Sequence, residues 1–517
     1  MKTTQVVPWL AMAAGVIAKP PACDKPLHPA PGGPNGPPAG PRATKVDSKL
    51  LQETIKQENI WATLERLNTI AYANGGNRAF GLPGYAASVD FIYEEISKLG
   101  QYKVWKQDFD ALFSQVRSIS FKVGDTPYYV AGLTYSPSTS DEGVTGQLVA
   151  APAGDQACVE AGYRGLDITN KIVLVERGLC PDGSTFAGRV RPAAAAGAAA
   201  VIIYNNVETN LTAGTLSNPS PEYVSAGGIN REEGLALLAR LEAGETISAT
   251  FQQTQVIERR TTQNVFAETK YGDPRNVVVL GGHLDSVQAG PGINDDGSGT
   301  ALVLELARGM DKFTSDLKVR FAWWGAEENG LLGSKAYCNS LSASEGDDIL
   351  TYLNFDMVAK GYYGVFDGDG KTHGVAAPAG SANIQKLFND HFQAQGIVTQ
   401  AARFTNGSDY ASFWKILNKP IGGLHTGTGV AQDSCYHQKC DNLDNPDPVQ
   451  ITNNAKAAAH VLAVLANTGT QLIPASTMNS TMLLAKRDTI NWGYDLDALA
   501  ALEDSEERHL LTCGHEI

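Results

Sequence analysis

One part of the sequence places imidazole and carboxylate side chains directly after apolar segments or in tight glycine-rich loops. His283 follows the segment VVVLGG, and Asp356 follows the segment YLNF. Imidazole nitrogens and carboxylate oxygens are donors that suit Zn²⁺. One histidine beside one aspartate would more often be a buried structural pair, but here several such groups recur. They are His283, Asp295, Glu327, Glu328, Asp356 and His437.

The number of these groups fits two cations that share one ligand. Two metal ions bridged by a carboxylate need about two histidines, two terminal carboxylates and one bridging carboxylate. Two more acidic residues, Asp285 and Asp296, lie in the glycine-rich stretch 281–299 that contains His283 and Asp295. We expect Asp285 to hydrogen-bond the second ring nitrogen of His283 and fix its tautomer. We expect Asp296 to cap a helix that begins near Ser298.

Apolar periodicity predicts the elements that must position these groups. After about residue 256, strands alternate with helices, which is typical of an α/β fold whose mixed, mostly parallel sheet has helices on both faces. Ligands bind at the carboxyl ends of the strands of such sheets. The predicted elements are strands at 317–324 and 352–357, a helix at 298–310 and a hairpin turning at 272–274.

An inserted domain is predicted between residues 126 and 253, where short strands surround an alanine-rich helix. The domain with the metal-ligand residues is then divided into 47–125 and 254–467. Its first part is expected to contain helices at 48–73 and 85–99 and a strand at 102–113. A polar tail, 468–517, with a helical piece at 495–511, follows.

The N-terminus resembles a secretory leader. Residues 1–18 combine Lys2 with an apolar run, and a disordered arm is the alternative. Residues 19–46 include nine prolines between positions 20 and 42, which predicts a linker or propeptide rather than a proline-rich ligand for another protein. A net charge of −14 on 517 residues argues against nucleic-acid binding. No later apolar run reaches the roughly 18 residues of a membrane span.

Seven cysteines and three glycosylation sequons fit a secreted chain. Cys435 and Cys440 bracket His437 at a spacing that permits a small disulfide loop and is unusual for zinc ligands. The partner of Cys338 stays open, with Cys513 as one candidate. The sequons are Asn210, Asn406 and Asn479, of which we expect Asn406 to be unused or to point away from the site.

The segments that carry these residues resemble the M28 family of co-catalytic di-zinc aminopeptidases, in order and in spacing. The matching segments are GGHLDSV, GINDDGSG, WGAEENGLLGS, NFDMV and CYHQKCDN. The insertion resembles a protease-associated (PA) domain through Cys158 and the segments 167–180 and 195–206. The combination is most similar to secreted or vacuolar enzymes of the aminopeptidase Y type. The resemblance implies the zinc-dependent exopeptidase fold, a β-rich α+β insertion and a disulfide between Cys158 and Cys180.

The resemblance also implies roles for the metal-ligand residues. His283 and Asp356 would hold one zinc ion, Glu328 and His437 the second, and Asp295 would bridge the two. Two zinc ions can activate a water molecule and polarise the scissile carbonyl.

Two further roles concern proton transfer and the oxyanion. Glu327 would be the general base that takes the proton of the water. It can face the water while Glu328 faces the metal, because alternate side chains of an extended backbone point in different directions. The hydroxyl of Tyr436 would stabilise the oxyanion, with a packing tyrosine as the alternative.

The expected substrates are peptides with a free N-terminus, and we expect a monomer. Acidic groups around the zinc pair favour binding of the substrate's ammonium group. A carboxypeptidase would need a basic cluster for the substrate's carboxylate, and the sequence has none near the motifs. Trp323, Trp324 and Phe404 suggest apolar, leucine-like N-terminal residues. The alternatives are a mono-zinc glutaminyl cyclase, a di-zinc carboxypeptidase or dipeptidase, and a non-catalytic binding protein, which would lack a ligand or the base.

Overall fold

The computed structural model describes residues 44–212, 214–474 and 479–485. The predicted leader, most of the predicted linker and the predicted helix at 495–511 lie outside the described residues. No described helix is long and apolar enough to cross a membrane. The strands are β1 (Thr44–Lys45), β2 (Tyr102–Val123), β3 (Thr126–Tyr128), β4 (Ala131–Gly132), β5 (Val144–Ala150), β6 (Ile172–Glu176), β7 (Ala200–Tyr204), β8 (Ser225–Ile229), β9 (Ser248–Thr269), β10 (Asp273–His283), β11 (Phe313–Thr314), β12 (Leu317–Trp324), β13 (Ile349–Phe355), β14 (Gly364–Phe366), β15 (Gln400–Ala402) and β16 (Ile421–Leu424).

The helices lie between these strands and after the last of them. They are α1 (Ser48–Thr54), α2 (Gln57–Ala73), α3 (Pro83–Ser97), α4 (Ala187–Ala195), α5 (Arg231–Glu242), α6 (Gly299–Met310), α7 (Leu332–Ser340), α8 (Ala343–Asp348), α9 (Ser381–Ala394), α10 (Tyr410–Leu417), α11 (Gly429–Gln432), α12 (Pro448–Leu472) and α13 (Ser480–Leu484). Short 3₁₀ turns occupy Gly154–Cys158 and Glu160–Tyr163, and an irregular turn occupies Ile293–Ser298.

The centre of the sheet is parallel, in the order β16-β13-β10-β12, and β9 lies antiparallel beside β12. Side chains of β10 alternate between two cores. Val278 and Leu280 pack in one core, and Val277 and Val279 pack in the other. This period of two is expected for a strand that is buried on both faces. The first core contains residues of α6 and α12, and the second contains residues of α7 and α10, so helices cover both faces as predicted.

Two predicted elements near the sheet are wrong in detail. The predicted hairpin at 272–274 does not form, because β10 pairs with β12 and β13 while β9 pairs with the far side of β12. A strand with apolar side chains on both faces belongs at the centre of the sheet. The predicted helix at 48–73 is broken because Ile55 is buried and the backbone N–H of Lys56 donates to the Glu305 carboxylate at 2.9 Å.

A two-stranded ribbon joins the insertion to the rest of the chain. β2 and β9 are each 22 residues long and pair antiparallel along their whole length, so the predicted strand at 102–113 continues to Val123. β9 also pairs with β5, from which the parallel strands β6, β7 and β8 continue. One sheet therefore runs through both domains.

Residues on both sides of the predicted 47–467 segment pack against the core. β1 pairs with β11, and Val46 is buried, so the chain joins the core before residue 47. At the other end, α12 continues beyond residue 467 and Ile473 is buried. Both ends are apolar enough to pack on the core, which the sequence pattern alone did not reveal.

Candidate metal centre and active site

The six predicted metal-site residues come together at the carboxyl ends of the central strands. His283 ends β10, Asp356 directly follows β13, and Glu327 and Glu328 lie in the turn after β12. Asp295 lies in the irregular turn before α6, and His437 lies in the loop between α11 and α12. Five of the six side chains are less than a tenth exposed, and His437 is 24% exposed.

The carboxylate of Asp295 lies between the two histidines. Its Oδ1 is 3.1 Å from His283 Nε2, and its Oδ2 is 3.1 Å from His437 Nε2. Each side of Asp295 therefore offers one imidazole nitrogen and one carboxylate oxygen from the same residue.

The remaining carboxylates divide between these two sides. Asp356 Oδ1 lies 3.7 Å from His283 Nε2, and Glu328 Oε2 lies 3.0 Å from His437 Nε2. Glu327 Oε2 lies 3.9 Å from His283 Nε2. The two adjacent glutamates thus face different histidines, although the backbone there is a turn and not the extended segment that the sequence suggested.

The electrostatics of this cluster favour a cation. Burial and, to a smaller extent, Asp295 raise the pKa of Glu328 to about 7, against the opposing effect of His437. Burial also raises the pKa of Glu327 well above its usual value. Burial lowers the pKa of His437, but Glu328 and Asp295 outweigh it and leave that pKa well above the usual value. Glu328 Oε1 is buried without a hydrogen-bond partner, so it is available as a metal ligand.

By distance alone, Asp296 could be a metal ligand as well as Asp295. His283, Asp296 and Asp356 form one group whose donor atoms lie within 4.8 Å of one another, and His283, Asp295 and Glu328 form another. However, the Asp296 carboxylate already accepts three backbone N–H groups. They are those of His283 at 3.0 Å, Gly299 at 2.7 Å and Met357 at 3.2 Å. Asp296 thus accepts a backbone N–H at the start of α6, as predicted, and it also holds the chain at the ends of β10 and β13.

Asp285 is also placed differently from the prediction. His283 Nδ1 is 3.1 Å from the carbonyl oxygen of Asp285 and 3.6 Å from its carboxylate. The carboxylate instead accepts the backbone N–H groups of Glu327 at 3.1 Å and Glu328 at 3.3 Å. Asp285 therefore orients the two glutamates as well as the histidine.

Three residues at the site have a left-handed backbone. Ala326 precedes Glu327 with φ of 55°, Met357 follows Asp356 with φ of 51°, and His437 itself has φ of 56°. Such conformations cost about 1–3 kcal/mol in side-chain-bearing residues and concentrate at functional sites. Each redirects the chain at the point where a polar side chain must turn inward.

Both domains line the cleft above these residues, which has a volume of about 710 Å³. The Thr212 hydroxyl donates to the carbonyl of His437 at 3.4 Å and accepts from Gln438 Nε2 at 3.3 Å. The insertion therefore forms one wall of the cleft. Its lining residues include Thr134, Asp182, Ser184 and Asn218.

The three aromatic residues that were expected around the substrate site do not lie there. Trp323, Trp324 and Phe404 are buried in the cores and do not line the cleft. The apolar lining comes instead from Leu331, Leu332, Met357, Phe366 and Tyr410. Large aromatic residues are more often core residues than pocket residues.

Basic side chains also lie at the cleft, contrary to the expectation from the motifs. Lys335 and Arg403 are lining residues. Burial lowers the pKa of Lys335 to about 8, although Glu327 and Asp409 oppose this effect. No sequence signal distinguishes these two cations from ordinary surface residues.

Two other residues at the site were missed by the sequence reasoning. The fully buried guanidinium of Arg78 donates to carbonyls of the loop after β10, those of Leu284, Pro291 at 2.9 Å and Gly292 at 2.6 Å. The Ser408 hydroxyl donates to Asp356 Oδ2 at 2.5 Å. Nothing in a single sequence relates Arg78 to a loop about 200 positions later.

The ring of Tyr436 stacks on that of His437, with centroids 3.8 Å apart, and the residue lines the cleft. Asn406 also lines the cleft, and of the two expectations for this sequon the one that it is unused agrees with this position. Asn210 and Asn479 are exposed, and Asn479 caps α13.

The cysteines form two disulfides, Cys158–Cys180 and Cys435–Cys440. Both pairs agree with the sequence expectations. Cys338 is buried and has no disulfide partner among the described residues. Cys513 lies outside them.

Comparison with known proteins identifies the family. Residues 264–462 match the model of peptidase family M28, and residues 144–237 match that of the PA domain. The chain is 40% identical over 446 residues to probable leucine aminopeptidase 2 of Aspergillus fumigatus, with 82% of this chain and 86% of that protein covered. It is 39% identical over 449 residues to leucine aminopeptidase 2 of Trichophyton rubrum, with 83% and 88% covered.

Solved structures give the same result. The aminopeptidase from Aneurinibacillus sp. strain AM-1 superposes with a TM-score of 0.68 at 31% identity and covers 84% of this chain and 99% of its own. BSAP, a zinc aminopeptidase from Bacillus subtilis, shares the fold at a TM-score of 0.63 and 23% identity, with 82% and 98% covered. The chain therefore belongs to peptidase family M28 and is a metallo-aminopeptidase with a PA domain.

Proposed function

We propose that the chain binds two zinc ions and releases N-terminal residues from peptides. The observation that carries the proposal is the position of Asp295, whose two oxygens each lie 3.1 Å from a different histidine. His283 and Asp356 would hold one ion, Glu328 and His437 the other, and Asp295 would contact both. The buried, unpartnered Glu328 Oε1 supports this fit.

When bound, two zinc ions would supply Lewis-acid activation of a water molecule and of the scissile carbonyl. Glu327 would take a proton from the attacking water and pass it to the leaving amine. Its buried carboxylate faces His283, and Asp285 fixes its backbone. Tyr436 would donate its hydroxyl hydrogen to the developing oxyanion, and its stacking on His437 supports that placement.

Charge supports recognition of a free amine. The cleft is lined by the carboxylates of Asp182, Asp295, Glu327, Glu328 and Asp356 against the two cations Lys335 and Arg403. Two bound zinc ions would offset the charge of their own ligands, Asp295, Glu328 and Asp356. Asp182 and Glu327 would then be the lining carboxylates left to receive an ammonium group. The apolar lining described above, together with the names of the fungal relatives, supports a preference for leucine-like N-terminal residues.

The proposed cellular setting is secreted or vacuolar. It is supported by the leader-like residues 1–18 and by the two disulfides, which favour an oxidising compartment.

The test compares Glu327→Gln with the parent protein. We expect two zinc ions per chain in both proteins, and leucine-4-nitroanilide hydrolysis reduced about 10²–10⁴-fold in the variant. N-acetyl-leucine-4-nitroanilide, which has no free amine, should be a poor substrate of the parent.

Other outcomes would identify other functions. One zinc ion with cyclisation of N-terminal glutamine would indicate a glutaminyl cyclase. Release of C-terminal residues from N-blocked peptides would indicate a carboxypeptidase. Full activity in Glu327→Gln would remove the assignment of the base.

A further inference from the structure

We propose that Asp441 is a positioning residue that holds the turn carrying Asp295 and thereby sets the zinc affinity of the site. The inference rests on the proposed function, because it takes Asp295 as the shared zinc ligand. The carboxylate of Asp441 accepts the backbone N–H of Asn294 at 2.8 Å and that of Asp295 itself at 3.0 Å. Its carbonyl oxygen accepts the N–H of Ile293 at 3.0 Å. Three consecutive residues of the turn are thus bonded to one residue.

Asp441 is itself held rigidly. It is 2% exposed, and Asn445 Nδ2 donates to its Oδ1 at 2.9 Å. It directly follows Cys440, whose disulfide to Cys435 closes the loop that contains His437. The residue that fixes the shared ligand therefore belongs to the same short segment as a terminal ligand.

A second aspartate of this segment makes a parallel connection. Asp433 Oδ2 accepts from Asn294 Nδ2 at 2.7 Å, and Asp433 Oδ1 accepts the backbone N–H of Cys435 at 2.9 Å. Asn294 Oδ1 in turn accepts the N–H of Ala359, three residues after Asp356. The loops that carry Asp295, Asp356 and His437 are consequently connected by buried hydrogen bonds.

These bonds act on the metal through geometry. The Asp295 side chain must face His283 on one side and His437 on the other, so a small rotation of its backbone would move both of its oxygens. Residues that orient metal ligands typically contribute about 10–100-fold to metal affinity. Loss of the Asp441 carboxylate should therefore weaken both zinc sites, because both share Asp295.

The experiment measures zinc bound per chain against free zinc set by a chelator buffer. The variant is Asp441→Ala and the matched control is Asp367→Ala. Asp367 is also buried, at 1% exposure, and accepts the backbone N–H groups of Thr372 at 3.1 Å and His373 at 2.8 Å. It contacts no residue of the proposed metal centre through these bonds, so it reports the effect of removing a buried carboxylate as such.

We expect half-saturation of Asp441→Ala at about 10–100-fold higher free zinc than for the parent, with Asp367→Ala unchanged. The visible spectrum of the cobalt-substituted protein should also change in Asp441→Ala only. Equal zinc affinity in the parent and Asp441→Ala, or equal losses in both variants, would overturn the proposal.

A second variant covers the case in which Asp441→Ala does not fold. Asp441→Asn keeps the size of the side chain, and its amide oxygen can still accept one of the two N–H groups. A smaller shift in half-saturation is expected for it, and no shift would overturn the proposal. Asp295→Ala separates this inference from the proposed function, since unchanged zinc binding in that variant would contradict Asp295 as the shared ligand whatever Asp441 does.

Discussion

The two halves of the sheet differ in how they use the polar residues at their strand ends. In the PA half, β6 ends at Glu176, whose exposed side chain pairs with Arg231 at 3.2 Å. β8 is followed by Asn230, which forms a capping box with Glu233 at the start of α5. In the peptidase half, the corresponding residues after the parallel strands are buried and face one another. They include His283, Glu327 and Asp356.

The difference indicates which strand-end carboxylates are placed to bind a cation. Both halves have parallel strands and acidic residues, so topology alone does not distinguish them. In the PA half, Glu176 is satisfied locally by an ion pair and Asn230 by a helix cap. In the peptidase half, carboxylates such as Glu328 are buried with an unsatisfied oxygen beside a second carboxylate, which is costly unless a cation is present.

Removal of the metal should give the largest effect. Chelation should reduce hydrolysis of leucine-4-nitroanilide by more than about 1000-fold, because the Lewis acid is lost and buried carboxylates repel one another. Hydrogen exchange should increase at 283–299 and 433–441 but not in strand β6 of the PA half. Equal increases in both halves would contradict the local role assigned to the cation.

A matched pair of strand-end substitutions should give the next largest effect. Asp356→Ala should reduce kcat/KM at least about 100-fold through loss of a metal ligand. Glu176→Ala removes a carboxylate that is 44% exposed, and it should leave kcat/KM unchanged and stability within about 0.5 kcal/mol. A large loss of activity in Glu176→Ala would break the comparison between the halves.

Removal of each disulfide should separate stability from metal binding. The Cys158–Cys180 bond spans 22 residues, and its replacement by serines should cost about 3 kcal/mol of stability with zinc affinity unchanged. The Cys435–Cys440 bond spans only 5 residues and should cost about 2 kcal/mol, but it should also weaken zinc binding because it holds His437. Urea unfolding and zinc titration would measure the two effects, and unchanged zinc affinity without Cys435–Cys440 would contradict the second expectation.

A histidine pair remote from the cleft should give the smallest effect. His391 and His460 stack with centroids 4.8 Å apart, and burial together with His460 lowers the pKa of His391 to about 4. An unfolded histidine titrates near 6.5. The unfolded chain therefore binds more protons between these values, and stability should fall by about 2 kcal/mol as the pH drops from 6.5 to 4.

The control for this effect is His391→Phe, measured by urea unfolding of the metal-free protein so that zinc release does not contribute. The variant should lose most of this pH dependence. The same pH dependence in the variant and the parent would show that the histidine pair is not its source.

Sequence patterns predicted the elements in which apolar residues recur at the regular spacing of a strand or of a helix. The strand at 317–324 agrees with β12, and the helix at 298–310 begins one residue before α6. The six residues predicted to form a metal site also lie together, and each lies just beyond an apolar strand or in a tight loop. Local patterns therefore sufficed for the central sheet and its polar edge.

Contacts between distant segments could not be predicted. The hairpin at 272–274 failed because strand order depends on which neighbours bury both faces of β10. Asp441 lies 146 positions from the residue whose N–H it accepts. Trp323 and Trp324 were assigned to the pocket because the sequence gives the position of a strand but not which of its side chains reach the cleft.

Zinc-edge anomalous diffraction from crystals of the purified protein would test the central claim most directly. We expect two peaks on opposite sides of the Asp295 carboxylate, one beside His283 and Asp356 and the other beside Glu328 and His437. A single peak, or a peak held by His283, Asp296 and Asp356 with Asp295 uninvolved, would contradict it.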